Sequence, residues 1–184
     1  IAKELHWSPE EILNLKYAAH LHDIGKVGIP DTILNKPTRL TPEEYAVTKE
    51  HTVIGSEILK NITLLKRSAD VARHHHERYD GKGYPDGLKG TDISLYARII
   101  AIADGYDVMN TNHSCRNSLP KASIIREFRE NSGTQFDPEL TEIFLMLLEE
   151  HRLDINSDYL HPENDLGFTA IENDINRFIS NVMT

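Results

Sequence analysis

The chain has a single cysteine, a single tryptophan and few aromatic residues of any kind, 7% in all. One cysteine excludes an internal disulfide and any zinc site built on several thiolates. No apolar run approaches the roughly 20 residues that a membrane-spanning helix needs. The N-terminus lacks the basic, then apolar, then small-residue order of a secretory signal, so a cytoplasmic location is expected. Positive charge is also short: 20 Lys and Arg face 29 Asp and Glu, a net charge of −9. That balance argues against a surface that binds long nucleic acids by neutralising phosphates. It leaves room for a small phosphorylated ligand, because bound metal ions invert the local field.

What is present is a chain of 184 residues, enough for one domain with a real core. It opens on Ile1 rather than Met, so a piece of a longer protein is expected. Nearly all of it reads as helix. Ser8-Pro9-Glu10-Glu11 offers an N-cap hydroxyl, Pro at the first helical position and Glu three residues after the cap. A helix is expected from there to about Ile24, with Gly25 as its left-handed stop. Thr41-Pro42-Glu43-Glu44 repeats the signal and predicts a helix to about Leu59. Further helices are expected over 64–76, over 94–110 with Ala97, Ile99, Ile100, Ile102 and Ala103 inward, over 118–130 and over 137–151. The run from Asp80 to Gly87 holds too much Gly and Pro to be anything but loop. The predicted class is all-α, a helical domain over residues 1–151 with a C-terminal appendage over 152–184, closed by a helix over 169–179.

Several side chains stand out against this background. His22 and Asp23 are adjacent at a helix end, His51 lies on the next long helix, and His75 and His76 end another. Asp104 sits among Ile and Ala, where an unpaired buried carboxylate costs several kcal/mol. A cation must face it: a metal, or, on the plainer reading, Arg98 in a buried ion pair. Imidazole and carboxylate ligands without thiolate suit Fe, Mn, Ni, Co or Zn rather than Ca or Mg. Two such ions about 3.5–4 Å apart are a standard device for hydrolysing phosphate esters. Lys26 follows closely: it is either a solvated lysine at a helix end or a cation placed on a phosphate oxygen. Gly81, Gly83 and Gly87 either serve a simple connector or let backbone approach a ligand beside Tyr84.

In combination these segments resemble a known family. His22-Asp23-Ile24-Gly25-Lys26 with Val27-Gly28-Ile29-Pro30 is similar to the HD signature of HD-GYP domains, and His75-His76-Glu77-Arg78-Tyr79-Asp80-Gly81-Lys82-Gly83-Tyr84-Pro85 to the signature that gives the family its name. Ala97-Arg98-Ile99, Ala103-Asp104 with Asp107, and Gly133-Thr134-Gln135-Phe136-Asp137-Pro138 also fit, so the resemblance runs from about Ile1 to His151. It implies an HD-domain helical bundle that hydrolyses cyclic di-GMP to the linear dinucleotide and in some members on to GMP, some relatives preferring cyclic GMP-AMP. It implies two divalent ions, most often iron, with manganese, nickel or zinc as alternatives, held by His22, Asp23, His51, His75, His76 and Asp104. Asp23 and Lys26 are then the catalytic residues. Lys26, Gly83, Tyr84 and Arg116 contact substrate. Diguanylate cyclase domains, through the GYP loop, and a second copy of the chain are the candidate protein partners.

Two departures accompany the resemblance. The family carries a Glu, associated with a third metal, and a His on a helix that would precede Ile1, so that N-terminal helix is absent from this sequence. Where the family has Arg-Pro-Tyr before its final cation, this chain has His113-Ser114-Cys115 before Arg116, which weakens the expected ligand contact. Two rival readings follow: a catalytically degenerate cyclic di-GMP receptor or partner-binding module, and a nucleotide phosphohydrolase of the wider HD superfamily. The intact Gly83-Tyr84-Pro85 stretch speaks against the second.

Overall fold

Helix starts in this protein are made by local capping, and the computed structural model shows the reciprocal bonds. Ser8 Oγ accepts from the Glu11 backbone N–H (3.3 Å), while the Glu11 carboxylate accepts from the Ser8 N–H (2.8 Å). Thr41 and Glu44 do the same (3.3 and 2.8 Å). Each pair satisfies two backbone N–H groups that a helix N-terminus would leave orphaned. The structure describes residues 1–111 and 118–150. Within them lie seven α-helices: α1 Pro9–Leu21, α2 Asp31–Leu34, α3 Pro42–Leu59, α4 Lys66–His74, α5 Leu95–Asn110, α6 Lys121–Glu130 and α7 Pro138–Glu149. The described residues form no strand beyond an isolated bridge between Ser132 and Phe136. The expected all-α class is what the chain has. No helix among them is long and apolar enough to cross a membrane.

The chain divides into two compact units, Ile1–Met146 and Leu147–Thr184, and the features below belong to the first. There α4 is central, packed against α1, α3 and α5. Its small side chains allow that closeness: Ala69, Val71 and Ala72 are buried, with Val71 meeting Ala18, Ile93, Ala97 and Ile100 in one cluster and Ala69 and Ala72 meeting Leu59 in another. Phe128 stacks between Phe136 and Phe144, with ring centroids 4.6 and 4.5 Å away. The helix from residue 94 is less thoroughly buried than expected, since Ala103 is exposed.

One expectation is overturned in a way that matters for the site. The first helix ends at Leu21, and Gly25 is not a left-handed stop. It is buried within a 3₁₀ turn, Ile24–Gly28, that lies on α3. A Cβ at Gly25 would sit 1.9 Å from the His51 carbonyl oxygen and 2.5 Å from the Gly55 nitrogen. Gly55 faces it in turn, with room for a Cβ only 3.2 Å from the Gly25 nitrogen. Glycine is needed here because two backbones touch, not because φ is positive. That contact draws the residues just before Gly25 against His51.

Candidate metal centre

The turn after α1 carries His22 and Asp23, α3 carries His51, and the end of α4 leads into His75 and His76. Packing of these segments brings all five together. Asp23 Oδ1 lies 3.4 Å from His51 Nε2 and 3.8 Å from His75 Nε2, and Asp23 Oδ2 lies 3.4 Å from His22 Nε2. One carboxylate thus turns its two oxygens to different imidazoles, which is the geometry of a bridging ligand.

The protons on these rings follow from their other partners. His22 Nδ1 is 2.7 Å from the Ala19 carbonyl, His51 Nδ1 is 2.6 Å from that of Thr48, and His75 Nδ1 is 3.0 Å from that of Val71. A carbonyl only accepts, so in each case Nδ1 is the N–H and the neutral ring keeps its lone pair on Nε2. His51 Nε2 and His75 Nε2 stand 3.4 Å apart without a proton to share. Between them Asp23 Oδ1 is buried with no hydrogen-bond partner. Oδ1 and the two Nε2 atoms facing it are acceptors with no donor among them, an arrangement that suits a cation, and outer carbonyl bonds of this kind orient imidazoles as metal ligands.

Two ligand sets result, His51-His75-His76 and His22-Asp23-His75, with the ligating atoms of each set within 4.8 Å of one another. The side chains present therefore fit divalent transition-metal ions. His76 completes the wall: its ring centroid is 4.1 Å from that of His75 and 5.2 Å from that of His51, and it stacks on Tyr84 at 4.9 Å. Asp104 joins neither set, but it is half-buried, and the charges of His22, Asp23 and Lys26 all act on it. The alternative ion pair for Asp104 is not made. Arg98 is bound to Asp137 and to the Ile93 carbonyl, and Asp137 also caps α7 through the Glu139 N–H (2.9 Å).

Electrostatics at the centre follow from burial and from this arrangement. Burial pushes the His75 and His76 imidazoles down, to about 3 and about 4, with neighbouring histidines adding to the shift. Burial also raises the Asp104 carboxyl. Burial opposes ionisation of Asp23, but His22, which in its protonated form donates to it from Nε2, and Lys26 outweigh this and hold its carboxyl well below the usual range. Lys26 Nζ reaches Asp23 Oδ2 at 2.5 Å, so a divalent ion at Asp23 would compete with Lys26 for that oxygen.

A pH dependence follows. Folding keeps His75 and His76 neutral, whereas the unfolded chain protonates them near 6.5. Their contribution to stability is complete above about pH 6.5 and is lost as pH falls from there toward 4 and 3. Loss of the Asp23 contribution begins lower, below about pH 4. The urea midpoint of metal-free protein is therefore expected to fall steadily between pH 6.5 and 4. A flat profile across that interval would mean that the two rings are not desolvated.

The GYP loop is held by its own backbone. Glu77, 3% exposed, accepts from the Asp86 and Gly87 N–H groups (2.7 and 3.0 Å). A Cβ at Gly83 would lie 2.3 Å from the Arg78 nitrogen, so this glycine is demanded by loop closure itself. Tyr84 is thereby set against His76. His113, Cys115 and Arg116 lie outside the described residues, as does the expected helix over 169–179. Two residues at the site were missed in the sequence, Tyr45 and Lys49. Their i, i+4 spacing, two residues before His51, was the available signal.

An HD-domain family profile matches residues 1–140. The chain belongs to the HD-domain family, and its signatures and relatives make it an HD-GYP domain. It is 45% identical over 152 residues to a cyclic di-GMP phosphodiesterase of Thermotoga maritima, an alignment that covers 82% of this chain and 41% of that protein. It is 40% identical to the cyclic di-GMP phosphodiesterase response regulator RpfG of Xanthomonas campestris, covering 79% of this chain and 39% of the regulator. The chain thus spans about two fifths of the length of these relatives. A crystal structure of a cyclic GMP-AMP-specific phosphodiesterase of Vibrio cholerae superposes with a TM-score of 0.62 at 22% identity, covering 82% of this chain and 41% of that one, which shows a shared fold.

Proposed function

We propose that this domain is a metal-dependent phosphodiesterase that opens cyclic di-GMP to the linear dinucleotide. The observation that carries the reading is the Asp23 carboxylate set among imidazoles: its buried, unpartnered Oδ1 faces the Nε2 atoms of His51 and His75, and its Oδ2 faces that of His22. The names of the relatives supply the substrate class, since those proteins are cyclic di-GMP and 3'3'-cGAMP phosphodiesterases. His22, Asp23, His51, His75, His76 and Asp104 are the ligands, and iron is the metal favoured, with manganese, nickel or zinc as substitutes.

When bound, two such ions supply an activated water and neutralise charge growing on the phosphoryl oxygens. The protein does the rest. Asp23 fixes the spacing of the ligand sets. The backbone carbonyls of Ala19, Thr48 and Val71 keep each imidazole in the tautomer that presents Nε2. Lys26, half exposed at the rim, holds a phosphoryl oxygen and carries a proton for the departing ribose oxygen. Tyr84 offers a ring to a guanine. Arg116 is the further cation proposed for the ligand.

The test is turnover of cyclic di-GMP and of 3'3'-cGAMP by protein loaded with Fe(II) or Mn(II), with metal content measured in parallel. Hydrolysis lost on chelation and regained on reloading is the expected result. Tight binding without turnover at full metal occupancy would replace the enzyme with a receptor. Lys26→Ala is expected to retain metal while kcat drops about 10²-fold, the scale of losing one preorganised donor at a developing charge. Loss of metal in that variant would make Lys26 a scaffold residue instead.

A further inference from the structure

Beyond the ligand cluster, one face of α3 continues the wall of the site with a charge that nothing yet described uses. Lys49 lies one helical turn after Tyr45, and its Nζ sits 4.7 Å from the Tyr45 ring centroid and 5.0 Å from that of Tyr84. Tyr84 in turn stacks on His76 at 4.9 Å, and His76 lies 5.2 Å from His51. The sequence of contacts from ligand to rim is therefore His51, His76, Tyr84, Lys49, Tyr45. Other lysines nearby are neutralised: Lys26 pairs with Asp23, and Lys36 with Glu44. Among the described residues Lys49 makes no ion pair. Aromatic faces attract an ammonium without cancelling its charge.

We propose that Lys49, held between Tyr45 and Tyr84, is a second substrate-binding cation that takes the phosphodiester of a cyclic dinucleotide that is not being cleaved. This rests on the phosphodiesterase reading above. Lys26 stands at Asp23, where the reacting phosphate must lie, whereas Lys49 is set off from the ligand nitrogens by the Tyr84 and His76 rings. A ligand with a single phosphate would engage only the first. A cyclic dinucleotide carries its second phosphate across the macrocycle, and an ammonium serves as a compact point charge for a phosphate oxygen. The two tyrosines keep the flexible lysine stem in place before the ligand arrives, which lowers the ordering cost of binding. Lys49 is thus a positioning residue for the macrocycle rather than a participant in bond cleavage.

The experiment compares Lys49→Met, Lys49→Arg and the parent chain, each metal-loaded, on cyclic di-GMP and on bis(p-nitrophenyl) phosphate, which offers the scissile group alone. The expected result for Lys49→Met is a drop of at least tenfold in kcat/KM for cyclic di-GMP, carried by KM. The aryl diester should lose at least tenfold less, and Lys49→Arg should recover most of the difference. Calorimetric titration of cyclic di-GMP into chelator-treated protein, where hydrolysis is off, should show the same weakening. Equal losses on both substrates, a loss confined to kcat, or unaltered cyclic di-GMP affinity would overturn the assignment and leave Lys49 as a prop for Tyr84. A parent protein that cleaves the aryl diester but neither binds nor cleaves a cyclic dinucleotide would overturn the substrate reading itself, and this proposal with it. That failure is visible before any variant is compared.

Discussion

Asp23→Ala is expected to abolish hydrolysis of cyclic di-GMP and to empty the metal centre. Both oxygens of this side chain are committed: Oδ1 faces His51 and His75, and Oδ2 faces His22 and Lys26. No other carboxylate among the described residues belongs to either ligand set. Asp104 joins neither set, so it is not placed to take over the bridge. The loss should exceed the roughly 10–100-fold that follows removal of an outer partner of a metal ligand. Metal analysis beside a turnover assay checks this directly. The variant should also be less stable than the parent near neutral pH and lose less stability than the parent as pH falls below about 4, because the stabilisation tied to the depressed Asp23 carboxyl is gone. Retained metal with parental turnover would remove Asp23 from the bridge and oblige a different arrangement of the two sets.

Gly25→Ala is expected to be among the most destabilising single substitutions in the chain, although it adds one methyl group. In an ordinary helical turn the change would help, since alanine gives up less backbone entropy on folding than glycine. Here the new Cβ would fall 1.9 Å from the His51 carbonyl oxygen and 2.5 Å from the Gly55 nitrogen. Neither obstacle is a flexible side chain that can turn away; both are backbone of α3. The turn must therefore lift from the helix, at a cost of about 3 kcal/mol, the upper part of the range for overpacked interiors. Because the same turn carries Asp23 toward His51, metal affinity should fall together with the urea midpoint. A variant with the stability and metal content of the parent would show that the two backbones separate freely, and that their contact does not position the centre.

Helix starts and the chemistry-bearing residues were legible in the sequence because they are written locally. Ser8 with Glu11 and Thr41 with Glu44 act within one turn, so residue type and a spacing of three were enough to place α1 and α3. His22, Asp23, His51, His75 and His76 could be singled out by type and by position at helix ends, and the structure brings these five together. Helix ends were read less well. The turn after Leu21 reads as a left-handed cap in the sequence because a glycine that admits a positive φ and one that admits a touching backbone look alike in one dimension. The tautomers were likewise invisible, since they depend on which carbonyl each ring meets.

Partners far apart in sequence were decided by tertiary packing alone. Arg98 could have answered Asp104 a turn and a half away on its own helix, but Asp137, 39 residues on and 4% exposed, holds it instead. That choice leaves Asp104 without an ion pair to Arg98. Lys49 acquires its place only when the loop anchored by Glu77 swings Tyr84 over α3. Sequence by itself determined the helical class and singled out the imidazole and carboxylate side chains that the fold gathers, because caps, periodicity and side-chain chemistry act over a few residues. Tertiary structure decided which lone pairs face one another and which charges remain unpaired, because these depend on the approach of backbones that only the folded chain brings within a few ångströms.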